Sequence, residues 1–230
     1  MLHTTTALSA LLDRARVLLD RPGRAVLGIA GPPGAGKSTL AAALTEGLGP
    51  RAALLPMDGY HLSNAVLAAL GRRDRKGAPD TFDAAGYAAL LARLRTADVD
   101  ADGTDGTVYA PRFHREFEES VAAELAFGPE VSLVVTEGNY LLLPEGPWAA
   151  VRPLLDESWY VDLAEDERLR RLTARHHAYG KTPEEARAWA HGSDQANAAV
   201  VARTREAADL RVRLAPSSFL MALGRCRGAR

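Results

Sequence analysis

The sequence predicts one α/β domain over residues 1–230, built on a mainly parallel sheet with helices on both faces. Two observations carry this expectation. Short apolar runs of strand length alternate with stretches of helical spacing along nearly the whole chain, the pattern of a parallel sheet covered on both sides. The connecting segments are helix-sized, with no internal repeat or low-complexity tract.

Each element follows in order. Leucines 8, 11, 12, 18 and 19 predict an amphipathic helix over about 5–20. RAVLGIA (24–30) is a strand leading into a glycine-rich loop, and STLAAALTEGL (38–48) has helical spacing. RAALLPM (51–57) is a second strand, AVLAALG (65–71) a short helix and AAGYAALLARLR (84–95) a clear one. The polar TADVDADGTDG (96–106) is expected as a surface loop. TVYAP (107–111), EVSLVVT (130–136), ESWYVDL (157–163) and DLRVRL (209–214) read as strands. EDERLRRLTARHH (165–177), PEEARAWAHG (183–192) and DQANAAVVARTREA (194–207) read as helices, and the arginine-rich part, about 165–192, is expected to form a lid.

Composition narrows the function. With 47% hydrophobic and 25% charged residues the chain has the balance of a soluble globular protein. A net charge of −1 gives no global reason to expect nucleic acid or an anionic membrane as partner. No apolar run approaches the ~20 residues of a bilayer span, and charged residues interrupt the N-terminal apolar stretch, so no signal peptide is expected. Cys226, the single cysteine, fits a reducing compartment, and the cytoplasm is the expected location. Only Lys37, Lys76 and Lys181 among 28 basic residues are lysine, which marks positions wanting a compact point charge.

GPPGAGKST follows a strand and opens a helix, so Gly31, Gly36, Lys37 and Ser38 fit the P-loop pattern in its required context. The glycines let backbone N–H groups turn toward phosphate oxygens, and the helix N-terminus adds positive potential. The expected nucleotide cradle is therefore Gly31, Pro32, Pro33, Gly34, Ala35, Gly36, Lys37, Ser38 and Thr39, for ATP. Lys37 is placed to bridge the β- and γ-phosphates, and the Ser38 hydroxyl to ligate Mg²⁺. A guanine-reading N-K-x-D and a transporter L-S-G-G-Q are both missing, and the D-x-x-G at Asp100–Gly103 sits in the polar loop and not after a buried strand. A P-loop ATPase or GTPase acting as a switch or chaperone is the rival reading.

Two carboxylates end buried runs. Glu137 closes SLVVTE, which in a parallel sheet sets it at the carboxyl edge beside the phosphate loop. There it is a candidate for the metal's coordination shell, the alternative being a turn closed by Gly138. Asn139 and Tyr140 follow as candidate acceptor contacts. Asp58, at the end of AALLPM, reaches the same edge. Before Gly59 it is either a turn residue or a general base toward an attacking hydroxyl, and its position near the γ-phosphate favours the base.

GIAGPPGAGKSTLA, MDGYHL, RKGAPDTFD, YAPRFHREFEESV, VVTEGNYLLL and GSDQANAAVV together resemble the phosphoribulokinase/uridine kinase group of P-loop kinases. Pantothenate kinase and kinases associated with fructose transport are relatives in that group. The resemblance covers roughly residues 20–214. It implies a P-loop NTPase fold, ATP-dependent phosphorylation of a hydroxyl on a small molecule, Asp58 as catalytic aspartate, and phosphate-binding arginines in the lid.

Candidate acceptor contacts are Tyr60 and His61 after Asp58, Lys76 and Asp83 in RRDRKGAPDTFD, and Arg112 and His114 in YAPRFHREFEES, the last two segments read as loops around the sheet edge. Their basic surplus points to an acceptor bearing a carboxylate or phosphate, or to contacts with the phosphates of ATP. Along 165–177 the helical spacing pairs Asp166 with Arg170, Glu167 with Arg171 and Glu165 with Arg168. Arg175 is left without an acid and is the candidate for phosphate. Asn197 is a candidate adenine contact.

Overall fold

The computed structural model describes residues 7–96 and 106–213. Cys226 and Asp100–Gly103 lie outside the described residues. The chain runs α1 (Leu8–Leu19), β1 (Ala25–Ala30), α2 (Lys37–Leu48), β2 (Ala52–Pro56), α3 (Asn64–Ala69) and α4 (Ala84–Thr96). It continues through β3 (Val108–His114), β4 (Glu119–Phe127), β5 (Leu133–Gly138), β6 (Glu157–Val161), α5 (Glu165–Ala178), α6 (Pro183–His191), α7 (Ser193–Ala202) and β7 (Leu210–Val212).

Five strands form one parallel sheet in the order β2-β5-β1-β6-β7. The central β1 and β5 are buried along their whole length, which is why their sequences are continuous apolar runs. Because side chains alternate across a strand, Val26 and Ala30 enter one core while Leu27 and Ile29 enter the other. On the first face Tyr87, Leu90, Leu91 and Leu94 of α4 pack with Trp148. On the second, Leu11, Leu18 and Leu19 of α1 and Leu40 and Leu44 of α2 pack with Trp159. Each fully buried leucine contributes roughly 1.5–3 kcal/mol, so the helices are fixed by tertiary burial more than by propensity. The register sets Ala30 beside Gly138 and Pro56 beside Glu137, which aligns the ends of β1, β2 and β5 at one edge. Among the described residues no helix is long and apolar enough to cross a membrane.

The segment 107–127 departs from expectation. TVYAP begins a strand, but it joins an antiparallel β3–β4 hairpin separate from the main sheet, and YAPRFHREFEES is mostly strand, not loop. β4, ESVAAELAF, is largely solvent-exposed and alanine-rich, so it lacks the apolar alternation by which a strand is read. The hairpin lies across the Asp58 turn. A Cβ on Gly59 would come within 2.3 Å of the Pro111 carbonyl oxygen, and only glycine admits that crossing. The helix expected over 194–207 ends at Ala202.

Candidate active site

The β1–α2 loop lies under Leu172 of α5. Gly34, at φ 81°, adopts the left-handed conformation that glycine takes without strain, and a Cβ there would stand 2.7 Å from Leu172 Cγ. Lys37 is 8% exposed. Its Nζ donates to the Pro32 carbonyl (3.1 Å) and to Asn139 Oδ1 (2.8 Å), both neutral oxygens. Burial lowers its pKa to about 8 against the opposing pull of Glu137 and Asp58. A buried ammonium without an ion pair among the described residues is chemically suited to an incoming anion, so the loop fits a nucleotide's phosphates.

The Ser38 hydroxyl donates to Glu137 Oε1 at 2.9 Å. Burial and the neighbouring Asp58 charge raise the Glu137 carboxyl, outweighing Lys37 and Ser38. Withdrawal from water would raise Asp58 as well, but His61, Arg115, Lys37 and Arg175 outweigh it and hold its carboxyl below the ordinary aspartate value. The Glu137 carboxylate and the Ser38 hydroxyl at one sheet edge offer hard oxygen donors that fit Mg²⁺. Among the described residues no group of three His, Cys, Asp or Glu side chains is placed to hold a metal by itself, so phosphate oxygens would complete the shell.

These groups face a cavity of about 800 Å³. Pro33, Gly34, Gly36, Lys37, Ser38 and Thr39 line its phosphate side; Gly31, Pro32 and Ala35 form the loop behind. Asp58, His61 and Lys76 line the same cavity. The His61 ring lies 4.0 Å from Phe82 and 4.6 Å from Phe113 between centroids. Its Nδ1 donates to the Asp58 carbonyl at 2.8 Å, and burial lowers its pKa against the opposing pull of Asp58. Lys76 Nζ donates to Asn64 Oδ1 at 2.7 Å and to the Glu118 carbonyl.

Four expected acceptor contacts lie away from the cavity lining. Tyr60 turns to the core, edge-on to Tyr87. Asp83 starts α4, its carboxylate accepting from the Gly86 N–H at 2.8 Å. Arg112 and His114 both reach Glu124 on β4. Strand alternation explains the last two, since Phe113 and Arg115, one step out of phase, take the cavity side. Arg115 is the residue that sequence reasoning did not select. Its Nη2 donates to Asp58 Oδ2 at 2.9 Å. Reading 108–114 as a strand would have exposed the parity.

The α5 pairing differs in part: the expected Glu167–Arg171 pair forms, at 2.6 Å. Glu167 accepts from both Arg170 and Arg171, and these two bonds hold its pKa to about 2. The expected Asp166–Arg170 and Glu165–Arg168 pairs do not form. Arg168 shares the inward face with Leu172 and is buried against Gln195 of α7. Arg175 lines the cavity, and its side chain makes no hydrogen bond or ion pair among the described residues. His176 meets Asp194 at 2.6 Å, joining α5 to α7. Asn197 lines the cavity but donates to the Gly77 carbonyl at 3.2 Å. Tyr140 donates to the same oxygen at 2.6 Å, so both tie the Lys76 loop in place and Tyr140 is buried.

A phosphate loop after β1 with carboxylates at the carboxyl ends of β2 and β5 defines a P-loop kinase. The model of the phosphoribulokinase / uridine kinase family matches residues 26–220, and the chain belongs to that family. It is similar to the uncharacterized protein YggC of Escherichia coli, 33% identical over 196 residues, 83% of this chain and 78% of that protein. It is also similar to a Schizosaccharomyces pombe protein named "putative uridine kinase", 33% identical over 187 residues, 76% and 77% of the two chains. A solved Silicibacter structure titled "putative fructose transport system kinase" superimposes with a TM-score of 0.80 at 34% identity, covering 90% of this chain and 98% of that one. The chain is thus a small-molecule kinase, a phosphotransferase with an alcohol group as acceptor.

Proposed function

We propose that this kinase transfers the γ-phosphoryl group of ATP to a hydroxyl of a small anionic metabolite, with Asp58 as general base. The observation that carries this reading is the meeting of Lys37, Glu137 and Asp58 on one cavity from three different strand ends. Magnesium, held by Ser38 and Glu137 together with phosphate oxygens, would supply charge neutralisation on the transferring group. Lys37 binds the β/γ-phosphates and is stabilised as an ammonium by them. Asp58 takes the acceptor hydroxyl's proton as its oxygen attacks phosphorus. Arg175 at the closing face of α5 meets the phosphoryl charge, and the α5–α6 region acts as the lid. Sugars, nucleosides and pantothenate-like alcohols are the acceptor classes, and Lys76 and Arg73 in the cavity lining favour those with a carboxylate or phosphate.

ADP release measured across such a panel tests the reading. Acceptor-dependent release is expected; release indifferent to every acceptor would favour the switch-ATPase alternative. In Asp58→Asn the transfer rate is expected to fall by about 10²–10⁴-fold, with melting temperature and ATP affinity unchanged. A lowered melting temperature with activity retained would reduce Asp58 to a turn residue.

A further inference from the structure

We propose that Arg115 is a positioning residue that guards the base: it occupies Asp58 while the acceptor end is empty and releases it to an oxyanion carried by the acceptor. This inference rests on the kinase reading of the site. Arg115 and Asp58 come from different elements, 57 residues apart, and meet at 2.9 Å. The Oδ2 lone pair engaged by that guanidinium is unavailable to a hydroxyl proton. A guarded base suppresses attack by water as well as by the wrong alcohol.

The surroundings fit an exchange of partners. The guanidinium has five N–H donors, and the bond to Asp58 is the one it makes among the described residues. Its side chain is 41% exposed, at the cavity wall. The hairpin turn beside it is held independently. Glu118, at φ 54°, accepts from Arg73 through its carboxylate (3.0 Å) and from Asn64 (3.2 Å) and Lys76 through its carbonyl. Arg115 can therefore change partner without the turn coming loose. An acceptor with a carboxylate or phosphate beside its hydroxyl offers the guanidinium a bidentate partner, and Lys76 stands close by on the same cavity. Binding the anion and freeing the base then become one event, so the anion selects the acceptor through rate as well as affinity.

The test uses the full chain with Mg²⁺-ATP and no acceptor, water being the attacking group and ADP and phosphate the products. Arg115→Gln is expected to raise ADP release about tenfold or more, a fraction of what a general base supplies. Arg115→Lys should restore part of the suppression. In Arg115→Gln combined with Asp58→Asn the rise should vanish. Formate and inorganic phosphate, added singly, should stimulate the wild-type protein and leave Arg115→Gln unaffected, and the more effective one identifies the oxyanion. Unchanged or lower ADP release in Arg115→Gln, or a rise that survives Asp58→Asn, overturns the guard. Acceptor-dependent ADP release across the alcohol panel separates the two readings: a failed guard leaves it intact, whereas failure of the kinase reading removes it.

Discussion

Lys37, Ser38, Glu137 and Asn139 at the cavity floor bond to one another across the ends of β1 and β5. Arg73, Arg115 and Arg175 at its walls are held by single ion pairs or by none among the described residues. The floor is set by parallel register and a core on each face, so its donors keep their geometry with or without ligand, as electrostatic preorganisation requires. The wall is set by partly exposed polar contacts, individually weak and exchangeable for a ligand's charges. On the proposed function, phosphate handling is thereby built in, while acceptor selection is left to contacts that can change.

Lys37→Ala is the largest expected break in that contrast. It removes the floor's buried charge and should cut transfer by on the order of 10³-fold, measured as product formation under saturating acceptor. Near-normal turnover would mean the floor is not where phosphate is handled. Arg175→Ala should cost roughly 10²-fold in kcat, and Arg170→Ala, whose charge is already committed to Glu167, less than about twofold, the scale of a helix pair. Equal losses would erase the distinction between free and paired arginines.

Gly59→Ala attacks the wall's foundation. It drives a Cβ into the Pro111 carbonyl and should destabilise by about 1–3 kcal/mol, raising acceptor KM while nucleotide affinity stays within about twofold of wild type. The two affinities falling together would show that hairpin and floor are not separable. The smallest effect is a protonic one. Free Lys37, with its pKa lowered to about 8 by burial, is mostly neutral at pH 9 and mostly charged at pH 7. Phosphate favours the charged form, so ATP binding at pH 9 should take up close to one proton and be weaker than at pH 7. Calorimetry in buffers of different ionisation enthalpy reads this uptake directly, and it should be missing in Lys37→Ala.

The fold and the floor were legible because local rules govern them. Continuous apolar runs mark β1 and β5, and GPPGAGKST between a strand and a helix admits one arrangement. Parallel topology then carries the ends of β2 and β5 to that loop, which singles out Asp58 and Glu137 before any coordinate is known. The acceptor wall was not legible for the opposite reason. Whether Arg112 and His114 or Phe113 and Arg115 face the cavity depends on a parity that exists only once 108–127 is a hairpin, and β4 carries no apolar alternation to announce it. Helical spacing allowed three ion pairs in α5, but burial of Arg168 and Leu172 against the phosphate loop fixed the rotation of the helix and gave both Arg170 and Arg171 to Glu167. Sequence determined the strands of the parallel sheet, the phosphate loop and the two carboxylates, since those follow from periodicity and spacing. Tertiary structure alone decided which charges meet across the cavity, because contacts between residues 57 apart are set by how distant elements pack and not by any local pattern.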